Sequence, residues 1–332
     1  MKEEMRELDF IEAFNEALAL EMRANPDIFI IGEDVREFGL LGFGGLHKEF
    51  GDLRVINAPI SEEAFVGLAI GAAVKGLRPV ASLIYVDFIG VCLDMVYNHM
   101  AKLRYMSGGQ VKVPMVLTAL CGGGYQDAAQ HSQCLWGTFA HLPGMKVVVP
   151  STAYDTKGLT VSAIQDDNPV VLLLHKMLLN VVLMPFGVSG PVPEELYTVP
   201  IGKASICRKG KDISVITLGL MVHRALEAAN ALKEEGIGME VLDLRSLVPL
   251  DKKAILESAA NTGRVLVVDE DYQSFGLSGE IAALLSENEI PLKHPFRRLC
   301  IPDVPIPYSK CLEDQVIPTA QAIQGAVVNM LR

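Results

Sequence analysis

Two adjacent carboxylates, Glu62 and Glu63, open the run "EEAFVGLAIGAAV", and His131 sits in "AAQHSQ" behind a glycine-rich turn. A carboxyl group can hold or hand over a proton for a ligand, and an imidazole can do the same near neutral pH. Phe65, Leu68, Ala69 and Ala72 recur at helical spacing, so both acids stand at the head of an apolar helix. Burying a charge there without a partner is expensive. Two readings meet that cost. In the plain one, Ser61 caps the helix and both glutamates complement the positive end of its dipole. In the other, one glutamate is buried and holds a proton for a ligand. His131 is bracketed by Gln130, Ser132 and Gln133. Loops that follow the strands of a parallel sheet are where ligands bind, while a structural imidazole is the plain alternative. Ser132 could pair with His131 as a nucleophile, but no G-x-S-x-G elbow surrounds it.

The elements that must position these groups alternate between strand and helix. Asp9 precedes "FIEAFNEALALEMRA" with Glu12 in capping-box position, and Ile11, Phe14, Leu18 and Met22 form its apolar stripe. "DIFIIG", "RPVASLIYV", "VPMVLTAL", "MKVVVPS" and "NPVVLLL" read as short buried strands, with a long helix expected from about Gly90 to Tyr105. "MPFGVSGPVPEELYTVP", rich in proline, reads as a surface linker. Beyond it "DISVITLG", "GMEVLDLRS" and "RVLVVDED" are strands separated by helical runs. The expected fold is α/β with two domains, each a mainly parallel sheet flanked by helices: residues 1–183, a linker 184–200, and residues 201–332.

Composition narrows the function. Half of the 332 residues are hydrophobic and only 21% are charged, which allows a large core and a buried subunit interface. The net charge of −11, with no Lys/Arg cluster, argues against nucleic acid and anionic membranes as partners. No apolar run reaches the roughly 18–20 residues of a membrane span, and the N-terminus lacks a secretory pattern, so a cytoplasmic protein is expected. The six cysteines form no C-x-x-C pair and read as reduced thiols. Neither G-x-G-x-x-G nor G-x-x-x-x-G-K-[ST] occurs, which leaves a nicotinamide-dependent reductase without its fingerprint.

The motifs "GEDV", "NAPISEEAFVGLAIGAAVKGLRPV", "VDFIGVCLD", "KLRYMSGGQ", "AAQHSQ", "PGMKVVVPSTAYDTKGL" and "AIQDDNPVV" occur in this order, followed by "VLDLRSLVPLD" and "LEDQVIPTAQAI". Together they resemble the β subunits of thiamine-diphosphate-dependent 2-oxoacid dehydrogenases, a family that includes pyruvate, branched-chain 2-oxoacid and acetoin dehydrogenases. "VDFIGVCLD", "KLRYMSGG" and "GLMVHRALEAA" look most like the acetoin enzymes. The resemblance implies a transketolase-like pyrimidine-binding domain followed by a transketolase C-terminal domain. It implies that Glu62 hydrogen-bonds N1′ of the cofactor's aminopyrimidine and promotes the tautomer that deprotonates thiazolium C2. Glu63 would then be structural. Phe88 would pack against the pyrimidine and Ile84 would line its pocket, although both could be ordinary core. His131 corresponds to the family histidine that assists acyl transfer to lipoamide. The backbone at Met115, Ala163, Ile164, Asp166 and Asn168 would surround a potassium ion, and a plain turn explains that segment equally well. Diphosphate and magnesium would be held by a separate α subunit in an α2β2 heterotetramer that docks on a lipoyl acyltransferase core.

Some positions depart from the family pattern. Leu174 and Ser82 stand where a glutamate is common, Thr118 where an arginine is common, and "FGLLGFGGLHKEFG" is shorter than usual. These departures bear on the choice between acetoin, pyruvate and branched 2-oxoacids. A split transketolase-type half-enzyme and a non-catalytic assembly subunit are the competing readings.

Overall fold

The computed structural model describes residues 5–36, 43–181, 184, 185 and 187–332. The shortened stretch noted above therefore lies partly outside the described residues, as do positions 182, 183 and 186 at the expected linker junction. The chain divides into two compact units, Met1–Cys121 with Thr138–Ile201, and Gly122–Gly137 with Gly202–Arg332. Gly122–Gly137, which lies inside the sequence range 1–183, is thus grouped with the second unit.

In the first unit, β1 (Met5–Asp9) runs into α1 (Phe10–Ala24), whose capping box joins Asp9 and Glu12 reciprocally. Then come β2 (Ile28–Gly32), α2 (Gly44–Phe50), β3 (Val55–Asn57), α3 (Glu62–Val74) and β4 (Arg78–Tyr85). After them follow α4 (Leu103–Met106), β5 (Val116–Cys121), α5 (Trp136–Ala140, whose first two residues are grouped with the second unit), β6 (Lys146–Val148), α6 (Ala153–Gln165) and β7 (Val170–His175). The strands lie in the order β6–β7–β5–β4–β2–β3, and every neighbouring pair is parallel. β2, β5 and β7 are buried along their whole length, which is why their sequences are continuous apolar runs without alternation.

Two expectations need correction. The helix expected from about Gly90 to Tyr105 is broken into a 3-10 turn (Val86–Val91), a π turn (Met95–Met100) and α4. The π turn is closed by the Ala101 N–H on the Val96 carbonyl at 3.1 Å. Gly144 crosses so close to the end of this segment that an added Cβ would stand 1.9 Å from the Ala101 carbonyl oxygen. The expected surface linker also contains strands. β9 (Met184–Pro185) pairs antiparallel with β8 (Asn180–Val181), and β10 (Ser189–Pro193) pairs antiparallel with β1. Prolines 191 and 193 are tolerated because a two-stranded ribbon leaves one edge of each strand without a ladder, and Val192 is buried beneath it.

Lys157 fastens this ribbon. Its fully buried ammonium donates to Glu16 Oε1 and the Pro193 carbonyl, each at 2.6 Å, and to the Glu194 carbonyl at 3.0 Å. Lys157→Ala leaves two carbonyls without that donor and is expected to cost about 3 kcal/mol, read as a lower urea midpoint.

The second unit contains β11 (Ser205–Arg208), β12 (Ile213–Thr217), α7 (Leu220–Glu234), β13 (Met239–Asp243), β14 (Ser246–Val248) and α8 (Lys252–Thr262). β15 (Val265–Tyr272), α9 (Leu277–Glu287), β16 (Arg297–Ile301), α10 (Lys310–Val316) and α11 (Ala320–Leu331) complete it. Its sheet order is β11–β13–β12–β15–β16, parallel except at the β11 edge. Val215, Val241 and Val268 from the sheet pack with Ala225 and Ala229 of α7 and Ile323 and Val327 of α11. Both units are therefore parallel-dominated α/β layers. No helix among the described residues is long and apolar enough to cross a membrane.

Candidate functional site

The opening pair of glutamates separates cleanly. Glu62, the first residue of α3, is 7% exposed, whereas Glu63 faces water. Ser61 occupies the N-cap position without a side-chain cap bond, so the plain reading loses its cap. No side-chain hydrogen bond or ion pair reaches Glu62 among the described residues. Its electrostatic neighbours are acidic. The Glu33 carboxyl is raised above the usual carboxylate range, first by burial, then by the charges of Glu62 and Asp34, against an opposing bond from the Ser61 backbone. The Cys92 thiol is pushed up to about 12, mainly by burial and then by Glu62. One Glu33 oxygen, Oε1, is buried with no hydrogen-bond partner. A buried carboxyl with no countercharge among the described residues, beside a second carboxyl that favours its protonated form, can share a proton with a bound group. Sequence reasoning missed Glu33; its signal was an acid directly following the glycine that ends β2.

The strands below place two of the departing positions side by side, while Leu174 pairs with Leu120 further along β5. Gly32 lies opposite Ser82, and Ser82 opposite Thr118, in register across β2, β4 and β5. An added Cβ on Gly32 would meet the Ser82 carbonyl at 2.4 Å. Ser82, Thr118 and Leu174 are all buried, and Thr118 Oγ1 has no hydrogen-bond partner. Ile84 is the extra residue of a bulge, because β4 shifts register against β5 between Leu83 and Tyr85. Bulges next to sites re-aim side chains, and Ile84 is half-buried. Phe88, also half-buried, meets Tyr85 edge-on with ring centroids 5.7 Å apart at 87°. The fully buried Lys176 places its ammonium 5.3 Å from the Tyr85 ring centroid. These residues follow the carboxyl ends of the strands, where parallel α/β sheets bind ligands.

Of the residues implied for potassium, Ala163 and Ile164 lie in the last turn of α6, Asp166 and Asn168 lie in the turn after it, and Met115 directly precedes β5. The carbonyls of Ile164 and Asp166 accept from Arg78 at 2.9 and 3.0 Å, and the Met115 carbonyl accepts from the Val170 N–H at 3.0 Å. Asp166 accepts from Lys146, and Asn168 accepts from Arg104. Burial works against the Asp166 charge, but the bonds from Lys146 and Asn168 win and hold its carboxyl below the usual range. Asp167 is lowered by Lys112 and Arg78.

His131 belongs to the second unit, and its loop is gripped by that unit's acids. Gly122, Gly124, Gln126 and Ala128 have left-handed φ of 88°, 98°, 62° and 60°, which turns successive N–H groups into an anion-binding concavity. Here the anions are internal: Glu270 accepts from the Gly123 N–H and Glu313 from those of Gly124 and Gln126. The glycine turn is therefore filled by this chain's own carboxylates. At the loop's far end Asp271 accepts from the Gly137 N–H, and Asp269 accepts from Trp136 Nε1 at 3.1 Å. His131 is half-buried. Ser132 is fully buried, and its Oγ has no hydrogen-bond partner, which removes the serine nucleophile.

Asp269 makes this grip sensitive to pH. Burial first, and then the charge of Asp271, push its carboxyl from 3.8 up to about 8. The folded chain thus keeps a proton that the unfolded chain releases, so this group's contribution to stability falls as pH rises from about 4 to about 8. Asp269→Asn keeps an acceptor for Trp136 and cannot ionise. Urea midpoints at pH 5 and pH 8 should shift in the variant's favour at the higher pH.

Comparison with known proteins places these features. Residues 6–182 match the transketolase pyrimidine binding domain, and residues 202–323 the transketolase C-terminal domain. The chain is 46% identical to acetoin:2,6-dichlorophenolindophenol oxidoreductase subunit beta of Cupriavidus necator, over 97% of this chain and 96% of that one. It is 40% identical to 2-oxoisovalerate dehydrogenase subunit beta of Bacillus subtilis, over 97% of this chain and 98% of that one. Among solved structures it is similar to a split gene transketolase in an inactive β4 tetramer, with a TM-score of 0.78 at 27% identity over 98% of each chain. Pyrimidine-binding and C-terminal transketolase domains in this order, and identity across nearly the whole of two dehydrogenase β subunits, lead to one conclusion: the chain belongs to the family of thiamine-diphosphate-dependent dehydrogenase β subunits.

Proposed function

We propose that the chain is the β subunit of a heterotetrameric thiamine-diphosphate-dependent acetoin dehydrogenase, in which Glu62 holds a proton at N1′ of the aminopyrimidine. The observation that carries this reading is the buried Glu62 carboxyl at the head of α3, with no countercharge among the described residues. When bound, the cofactor supplies the carbon nucleophile that cleaves the bond next to the substrate carbonyl. Ile84 and Phe88 shape the apolar wall against the pyrimidine, Phe88 braced by Tyr85. His131 holds and delivers a proton at the substrate oxygen while the acyl fragment passes to lipoamide. Thr118 stands where an arginine is common, and without that cation a substrate carboxylate loses a partner, which favours an uncharged substrate.

The diphosphate and magnesium belong to an α subunit in an α2β2 assembly, and a lipoyl acyltransferase core accepts the product. The filled glycine turn supports this division, since its N–H groups already serve Glu270 and Glu313. The cradle of Met115, Ala163, Ile164, Asp166 and Asn168 is proposed for potassium, using the second lone pair that each carbonyl oxygen keeps. The likeness to a split transketolase favours one other reading, a ketol-transferring half-enzyme. The test is co-purification with an α partner, followed by turnover on acetoin, pyruvate and branched 2-oxoacids with lipoamide or an aldose as acceptor. Acetoin cleavage coupled to lipoamide is the expected result. Transfer to the aldose alone overturns it.

A further inference from the structure

We infer that Glu313 and Glu270 are positioning residues for His131, clamping the backbone N–H groups at the start of the loop that carries it. The inference rests on the proposed catalytic role of His131, and its test is arranged so that the two can fail separately. Glu313, on α10, is fully buried. Its Oε1 accepts from the Gly124 N–H at 2.7 Å, and its Oε2 from the Gln126 N–H at 3.2 Å. Glu270, at the end of β15, accepts from the Gly123 N–H at 2.8 Å. Three donors within four residues are thus satisfied by two carboxylates drawn from distant parts of the sequence.

The dependence runs both ways. Backbone donors in a left-handed turn have no helix or sheet partners, and leaving them buried and unpaired is costly. A buried carboxylate needs donors in turn, and no cation pairs with Glu313 among the described residues. Charge-assisted bonds of this kind are shorter and stronger than neutral ones, so they hold the turn to one geometry. The turn also lies hard against α10. An added Cβ at Gly123 would stand 2.5 Å from Ile317 Cδ1 and 3.4 Å from Glu313 Oε1.

From there the path to His131 is short. The Gly122 N–H bonds the Gln133 carbonyl at 2.9 Å and closes the loop across its base. The His131 N–H points to the Ala128 carbonyl at 3.5 Å, and Tyr272 Oη donates to Gln133 Oε1 at 3.3 Å. A displacement of the 123–126 turn therefore re-aims the imidazole.

The test compares Glu313→Ala, Glu313→Gln and Gly123→Ala with the wild type in the full-length chain. Hydrogen–deuterium exchange is read first. Amides 123–131 are expected to exchange at least tenfold faster in Glu313→Ala, with α7 and β12 unchanged. Glu313→Gln keeps one acceptor oxygen at the same reach and should fall between. Gly123→Ala keeps both acids but pushes the turn off Ile317, and should reproduce the Ala pattern. Each chain is then assembled with the α partner. The expected kinetic signature is kcat down at least tenfold, KM within twofold, and partial recovery in Glu313→Gln. If Glu313→Ala does not fold, the other two variants decide on the same readouts. Unchanged exchange at 123–131 overturns the clamp. Faster exchange with unchanged kcat overturns the positioning role. A wild-type assembly inactive on every substrate overturns the proposed function alone, and exchange still decides the clamp.

Discussion

Glu62→Gln, assembled with the α partner, is expected to lose about 10³-fold in kcat while unfolding at the wild-type urea concentration. The size follows from removing a positioned proton-transfer group, which typically contributes 10²–10⁴-fold. Stability should hold because glutamine has the same shape, and no ion pair among the described residues is broken. An uncharged amide beside the raised Glu33 carboxyl also relieves the like-charge repulsion there. Glu63→Gln provides the contrast: its side chain faces water, and kcat should stay within twofold. A Glu62→Gln enzyme that retains a tenth of wild-type turnover means that the carboxyl does not serve the cofactor.

The largest stability effect is expected at Gly144. Its φ of +114° lies where only glycine is comfortable, and an added Cβ would stand 1.9 Å from the Ala101 carbonyl oxygen and 2.9 Å from its carbon. Neither atom is the end of a flexible side chain, so the main chain itself must move. Backbone strain of 1–3 kcal/mol together with the clash puts Gly144→Ala at roughly 3–5 kcal/mol of destabilisation. The movement has to pass into the π turn at Met95–Met100, which faces α3 through Met95 against Gly67. Far-UV circular dichroism against urea gives the shift in midpoint. Gly45→Ala is the control: nothing lies within 4 Å of its added Cβ and it sits in α2, so it should change stability by less than about 1 kcal/mol. Equal midpoints for the two variants would show that the close approach at Ala101 carries no energy.

Much of the fold can be read along the chain because it follows from local rules. Asp9 and Glu12 announce α1, and both ends of their capping box form as the spacing dictates. The apolar runs at Ile28–Gly32 and Val116–Cys121 give buried parallel strands because neither face meets water. What stayed hidden depends on distance in sequence. Nothing near Gly90–Tyr105 marks where the helix breaks, and the close neighbour of Ala101, Gly144, lies outside that stretch. The stretch that forms β10 reads as linker because its partner β1 lies at the other end of the first unit's sequence, as in Arg6 against Val192. In the site, Glu62 and Glu63 look alike in sequence, and only the packing of α3 buries one and exposes the other. Glu270 and Glu313 lie 147 and 189 residues from the glycines they hold, beyond any local pattern.

The interleaving of Gly122–Gly137 with Gly202–Arg332 constrains how the molecule is made. During synthesis this loop emerges well before the acids that fasten it, a wait on the order of ten seconds at ordinary ribosomal speeds. Until β15 and α10 have left the ribosome, its glycine turn has only water for a partner. No single cut in the polypeptide yields two self-sufficient halves, so a fragment ending near Ile201 leaves the ribosome with its histidine unmoored.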